Sequence, residues 1–261
     1  RDVLGSRGLG DVYKRQVYVN GIKITEHEGG FLPFLAKVTD VVRYNACNKV
    51  VVKVNNELTV TNIPCGETIT LKNGRKMVRP YFDFFNYSGL QRSVHLLSLP
   101  KESVFDFDLS YEICGSDAAV SYQIETTGAN PVRVQLYDAN GNEVASAEGK
   151  QGKLSVPNAK LWQVRNAYLY RFVIQIVDET GIVDEYEQEI GIRTVEVKGT
   201  EILVNGTPVY LRGFGKHEDS DMIGRGFSAG VMKRDFELMK WIGANSFRTS
   251  HYPYSEEIYQ M

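Results

Sequence analysis

The 261-residue chain is predicted to be mainly β: two antiparallel β-sandwiches, the first jelly-roll-like and the second immunoglobulin-like, followed by the first βα units of a truncated (β/α)8 barrel. Three observations carry that prediction. Four Asn-Gly pairs, Asn20-Gly21, Asn73-Gly74, Asn140-Gly141 and Asn205-Gly206, punctuate the sequence, several between strand-like runs, and Asn-Gly favours the type I′ turn because it tolerates positive φ at both central positions. Apolar residues then alternate with period 2, the signature of strands with two different faces. Beyond Val209 the pattern changes to strand, helix, strand, helix, the order of a parallel sheet with helices outside.

Residues 1–16 show neither an apolar core of a signal peptide nor a strand period. The string LGSRGLGDVYKRQ resembles adapter read-through, so this segment is expected to be a non-native leader. Residues 17–100 are expected to form part of one sandwich, beginning with a hairpin of Val17-Tyr18-Val19 and Ile22-Lys23-Ile24 about Asn20-Gly21. A seam falls where Pro100-Lys101-Glu102-Ser103 interrupts an apolar run, and residues 101–194 suit a seven-strand immunoglobulin-like domain. Within it, the run from Val132 to Leu136 should bury one face and wet the other, and Tyr170, Phe172, Ile174 and Ile176 should line the core. Trp162, Tyr168 and Tyr170 are expected where the two sheets meet.

Residues 195–261 read as the start of a barrel. Residues 209–214 are expected to be a strand, and Met232, Phe236, Met239 and Ile242 or Gly243 share one helical face. Gly243 is a plausible helix stop, residues 245–249 a second strand, and Ser255-Glu256-Glu257 the capped start of another helix. A whole barrel takes roughly 250 residues, so this domain is expected to be incomplete.

The formal net charge of −2 gives no basic footprint for nucleic acid. No apolar run approaches the roughly 20 residues of a membrane-spanning helix. Cys47, Cys65 and Cys114 have no CxxC spacing and no histidine at ligand spacing, which argues against a disulfide framework and fits a reducing compartment. The sequons at Asn86 and Asn205 matter only in a secreted protein.

Polar clusters fall after both barrel-type strands: Lys216-His217-Glu218-Asp219 and Ser250-His251-Tyr252. Loops after the C-terminal ends of barrel strands build the active-site face, so two such loops, each bringing a histidine, point to a substrate pocket, although Glu218, Asp219 and Asp221 would also suit a solvated loop with capping carboxylates. No HExxH or i,i+4 histidine pair supports a metal, no GxSxG supports a serine nucleophile, and Gly213-Phe214-Gly215 and Gly224-Arg225-Gly226 fall short of a dinucleotide fingerprint. Neither metal nor cofactor is expected. In residues 79–89, five aromatics fall within seven positions beside Asp83 and Asn86. Core packing would explain the rings alone. The mixture of ring faces and hydrogen-bonding groups also suits a loop that meets a carbohydrate.

Val17-Tyr18-Val19-Asn20-Gly21, the stretch His27-Glu28-Gly29-Gly30-Phe31-Leu32-Pro33-Phe34 and Asp83-Phe84-Phe85-Asn86-Tyr87-Ser88-Gly89 together resemble the sugar-binding domain of the β-glucuronidase branch of glycoside hydrolase family 2. Gly191-Ile192-Arg193-Thr194-Val195-Glu196-Val197 resembles that family's join between immunoglobulin-like domain and barrel. Gly215-Lys216-His217-Glu218-Asp219 and Phe247-Arg248-Thr249-Ser250-His251-Tyr252-Pro253-Tyr254 resemble its first two barrel strands and their loops. The resemblance implies retaining hydrolysis by two glutamates about 5–5.5 Å apart, both on later strands beyond Met261. It implies substrate-binding roles for Asp83, His217, Arg248 and His251, a glucuronide substrate, a cytoplasmic bacterial setting and a homo-oligomer, tetrameric by family resemblance, when complete. Other readings are a β-galactosidase or related family member, and a non-catalytic carbohydrate-binding sandwich protein.

Two barrel strands cannot close a sheet, which leaves strand edges and an apolar helix face open. Limited proteolysis followed by mass spectrometry should therefore cut first from about residue 200 onward; resistance there equal to that of the sandwiches would count against an incomplete barrel.

Overall fold

The computed structural model describes residues 2–6 and 14–261. Of the expected leader, residues 1 and 7–13 lie outside the described residues. The chain divides into two compact units, Leu99–Leu211 as one and Arg1–Ser98 with Arg212–Met261 as the other. The expected segments 17–100 and 195–261 are thus regrouped: residues 195–211 go with the immunoglobulin-like strands, and the barrel-type residues from Arg212 go with the first sandwich.

In the Leu99–Leu211 unit, seven strands form two antiparallel sheets. Val104–Cys114, Asp117–Thr126 and Gln151–Val156 make a three-stranded sheet with Asp117–Thr126 in the centre. Val132–Tyr137, Glu143–Glu148, Tyr170–Asp178 and Gly181–Ile190 make a four-stranded one, with Val132–Tyr137 paired to Tyr170–Asp178 inside. The inward residues interlock as the period-2 pattern requires: Val120, Val134, Leu136, Phe172, Ile174 and Ile176 are all fully buried in one core. The outer face is drier than expected. Gln135 and Gln175 are buried too, because their side-chain amides donate to the carboxylates of Glu143 at 2.7 Å and Glu185 at 2.6 Å.

Trp162 departs from its expected place between the sheets. It lies half-buried on a loop, its backbone N–H donating to the Ile192 carbonyl at 2.9 Å, with the Arg193 guanidinium 4.9 Å from its ring centre. It presses against the main chain at Gly191, where an added Cβ would come within 2.8 Å of the ring. A loop residue packed against backbone shows no periodicity, and so the sequence pattern misplaced it.

Of the four Asn-Gly pairs, Asn20-Gly21 and Asn205-Gly206 have positive φ at both residues, as the type I′ turn requires, while at the other two only the glycine does. All four join neighbouring antiparallel strands.

In the second unit three small antiparallel sheets precede the barrel-type segment. Strand Lys14–Val19 lies between Ile22–Glu28 and Val50–Asn55. It begins upstream of the boundary expected at residue 17, and the backbone of Asp2–Ser6 pairs with both Phe34–Lys37 and His95–Ser98. The alternation in Lys14–Val19 is real, with Arg15, Val17 and Val19 facing inward, but its first inward residue is a cation that hydropathy reads as exposed. Arg15 is fully buried, donating to the carbonyls of Gly29 at 3.1 Å and Gly30 at 2.7 Å. Burial lowers its pKa to about 10.

Strands Gly213–Lys216 and Ser246–Thr249 pair in parallel, connected by helix α1, Ala229–Trp241. The first strand starts later than residue 209, because residues 209–212 leave the ladder and Tyr210 is 82% exposed. A Cβ at Gly213 would sit 1.9 Å from the Ser246 carbonyl oxygen, so the close strand contact needs glycine there. Helix α1 buries Val231, Met232 and Met239 and stops at Gly243 with φ +78°, the left-handed conformation of a helix C′ residue. Its other face leaves Leu238 and Trp241 exposed, and Ile242, expected on the buried face, is exposed too because the helix ends at Trp241. Helix α2, Glu256–Gln260, follows Ser255, whose hydroxyl makes no cap hydrogen bond, contrary to the expected capping.

Ile174 is fully buried between the two sheets whereas Ile182 is 58% exposed. Ile174→Ala should cost about 2–5 kcal/mol and Ile182→Ala less than about 1 kcal/mol, as read from urea unfolding midpoints.

Candidate functional site

The four residues singled out by sequence lie in one unit. His217 follows the strand Gly213–Lys216, and Arg248 sits on Ser246–Thr249 with His251 in the loop beyond it, after a cis Ser250–His251 peptide. Parallel pairing aligns Lys216 with Thr249, which sets the two histidine loops side by side at the C-terminal ends of their strands. Their rings stand edge to face with centres 5.2 Å apart. Asp83 reaches the same place from the 81–89 loop, its Oδ1 3.4 Å from His251 Nε2.

Arg248 holds the His251 ring in place. Its Nη1 lies 2.6 Å from His251 Nδ1, and a guanidinium has only donors. Nδ1 must therefore accept, which puts the imidazole proton on Nε2, facing Asp83. The Asp83 side chain is 81% exposed, leaving its carboxylate free to take a hydroxyl proton donor from outside.

An aromatic floor supports these groups. Phe31 stacks on Tyr252 at 4.5 Å, with the rings only 7° from parallel, and Phe84 meets Tyr252 edge-on at 5.3 Å. Phe84 also approaches His251 at 6.2 Å and His217 at 6.3 Å. The adjacent Phe85 is 69% exposed. The aromatic segment is therefore both core and surface: one ring packs the floor, the next faces out.

Below the floor, charges are buried and paired. Arg92 donates to Glu218 Oε2 at 2.6 Å and to the Pro253 carbonyl at 3.1 Å, with both side chains almost fully buried. Glu218 also receives the Ser255 N–H at 3.4 Å. Burial pushes its carboxyl up, opposed by Arg92. Asp219 is likewise raised by burial, against a hydrogen bond from the Tyr252 hydroxyl at 3.3 Å. Lys216 is buried between Asp235 of α1, at 2.9 Å, and the His217 carbonyl, and its own carbonyl accepts from the Tyr254 hydroxyl and the Ser250 N–H.

The structure brings Asp83, His217, Arg248 and His251 together. Sequence reasoning missed Arg92 and treated Arg225 only as part of a glycine pattern. No local signal marked either as a support: Arg92 stands between Gln91 and Ser93, and Arg225 between two glycines. Among the described residues no group of three or more His, Cys, Asp or Glu could hold a metal ion, and no helix is long and apolar enough to cross a membrane.

Residues 101–193 match Glycosyl hydrolases family 2, and residues 195–261 match Glycosyl hydrolases family 2, TIM barrel domain. A beta-glucuronidase from Paenibacillus borealis is 43% identical over 252 residues, covering 94% of this chain and 42% of that protein. The Homo sapiens beta-glucuronidase is 40% identical over 264 residues, covering 94% and 41%. The structure of a β-glucuronidase from Ruminococcus gnavus in complex with D-glucuronic acid superposes with a TM-score of 0.96 at 58% identity, covering all of this chain and 45% of that one. The chain spans less than half the length of these relatives.

A group whose folded pKa is raised contributes stability at low pH, and that contribution fades as pH rises through the folded value. For Glu218 the loss falls above the ordinary carboxylate range, and Arg92 limits it. Arg92→Met should cost about 3–5 kcal/mol near neutral pH by stranding a buried carboxylate and less at an acidic pH low enough for Glu218, its carboxyl raised by burial, to take up a proton. Urea unfolding at the two pH values measures this; an equal cost at both would show that the pair does not carry the charge balance.

Proposed function

From the premise that the chain belongs to glycosyl hydrolases family 2, we propose that it is part of a retaining glycosidase that cleaves β-D-glucuronides and releases glucuronic acid. One observation carries the reading: Asp83, from a sandwich loop, lies beside His251, and the His251 ring packs against that of His217, so one sandwich loop and two successive βα loops converge. A sugar presents hydroxyls around its rim and C–H surfaces on its faces. The Asp83 carboxylate accepts from a hydroxyl, the histidine edges add polar contacts, and Phe84 supplies apolar surface nearby. Similarity to proteins named beta-glucuronidase, and to one solved with D-glucuronic acid, supports the choice of glycone.

Hydrolysis with retention needs an acid/base and a nucleophilic glutamate. In this reading both come from barrel strands beyond Met261, and Glu218, buried against Arg92, has neither role. This part of the enzyme binds and orients the sugar. His251, placed by Arg248 at Nδ1, keeps Nε2 directed at Asp83, so the carboxylate is turned to receive the sugar hydroxyl before substrate arrives. The complete enzyme is taken as a homo-oligomer, a tetramer by family resemblance, working in the bacterial cytoplasm.

The test uses the polypeptide extended through the remaining barrel, assayed on a panel of chromogenic β-glycosides. Turnover of the glucuronide over the galactoside is expected; the reverse order would make this a β-galactosidase. The 261-residue chain alone should be inactive. Asp83→Asn should lower kcat/KM about tenfold to a hundredfold, the worth of a hydrogen bond to a charged group.

A further inference from the structure

Gly224-Arg225-Gly226 is too short for a dinucleotide motif, yet its geometry is specialised. Ser220 and Gly224 exchange backbone hydrogen bonds at 2.7 and 2.9 Å, closing a tight loop just before Arg225. Gly224 and Gly226 have φ of +66° and +143°. A Cβ at Gly224 would come within 3.1 Å of the Tyr87 ring, and one at Gly226 within 2.9 Å of the Gln91 carbonyl oxygen. Both glycines let the chain run close, Gly224 against the aromatic loop and Gly226 against the segment that follows it, and between them Arg225 turns inward.

The Arg225 side chain is 1% exposed. Its guanidinium carbon lies 4.4 Å from the ring centre of Tyr252, 4.9 Å from Phe84, 5.6 Å from Tyr87 and 5.8 Å from Phe31. Its Nε donates to Asp219 Oδ1 at 3.2 Å and its Nη2 to the Phe85 carbonyl at 3.1 Å. A buried cation is costly unless its charge and donors are met. Here the ring faces, one carboxylate and one carbonyl share that task, and cation–π contacts strengthen when desolvated. The gripped atoms belong to the loop that carries Asp83: Phe84 is its immediate neighbour, and Phe85 the residue after that. Tyr252 adjoins His251.

We propose that Arg225 is a positioning residue for sugar binding, which clamps the 81–89 loop to the barrel-type loops and so sets Asp83 against His251. It does not meet substrate itself. The proposal rests on the reading that Asp83 and His251 contact the sugar, and it assigns to Arg225 control of KM rather than of the chemical step.

The experiment compares wild type, Arg225→Lys, Arg225→Met, Asp83→Asn and the Arg225→Met/Asp83→Asn double variant in the polypeptide extended through the barrel. Steady-state kinetics on a chromogenic β-glucuronide are combined with amide hydrogen exchange read by mass spectrometry. Arg225→Met should raise KM by about tenfold or more with kcat little changed, and Arg225→Lys, which keeps a cation among the rings, should recover most of the loss. Because both changes act on the same carboxylate, the double variant should lose less than the product of the single effects. Exchange should quicken across residues 81–89 and stay unchanged in α1. Full multiplication of the single effects, an unchanged KM, or exchange quickening equally in α1 would overturn the proposal. If the wild-type enzyme leaves the glucuronide uncut, the glycone reading fails, and the exchange comparison alone then decides whether Arg225 holds the loop. If Arg225→Met does not fold, Arg225→Gln, which also removes the cation, takes its place: a wild-type KM and unquickened exchange across residues 81–89 in that protein would overturn the clamp.

Discussion

The buried Arg92–Glu218 ion pair is the constraint on which the candidate site depends. Two charges taken out of water are tolerable only as partners, since either alone would face a full desolvation penalty. The pair joins a segment after the aromatic loop to the first βα loop at 2.6 Å, and Arg92 also holds the Pro253 carbonyl in the second. Glu218 stands between His217 and Asp219 and reaches the Ser255 N–H. Three separate stretches of chain are thereby pinned to one carboxylate. The histidines above them inherit their places from that arrangement.

Cations recur as the joining elements of this unit. Arg15 ties the Gly29 and Gly30 carbonyls just before Phe31, Arg92 ties the two βα loops, and Arg225 lies among four rings. Guanidinium suits the task because it offers several donors in one plane, has a face that stacks on aromatic rings, and stays charged where a lysine would more readily lose its proton. The polar rim of Asp83, His217, Arg248 and His251 thus rests on an aromatic layer with buried charge within and beneath it.

Much of the fold was legible in the sequence because it obeys two periods. The Asn-Gly turns, the core strand from Tyr170, the face of α1 through Met232 and Met239 and the stop at Gly243 all follow from local rules. The closeness of the His217 and His251 loops was legible for a different reason: polar clusters after consecutive barrel-type strands are placed together by topology, whatever lies between. The strand at Gly213–Lys216 was misplaced because its alternate residues, Gly213 and Gly215, carry no hydrophobic signal, whereas the apolar Val209, Tyr210 and Leu211 stand outside the ladder. Arg92 and Arg225 were not legible as supports: each pairs with groups more than a hundred positions away, and hydropathy counts each as a surface residue.

The unit that contains the site is discontinuous in sequence: Asp83 and His251 meet only across the intervening Leu99–Leu211 unit. During synthesis, at about 5–20 residues per second, the sandwich loop with Asp83 leaves the ribosome several seconds before the barrel-type strands that receive it. The intervening unit has its own core and can close in that interval. Phe31, Phe84 and Arg92 must wait, with their eventual partners not yet made. The order of emergence therefore makes the corner that holds Asp83 and His251 the last part of this chain to assemble, and places its early aromatic residues among those most in need of protection while they wait.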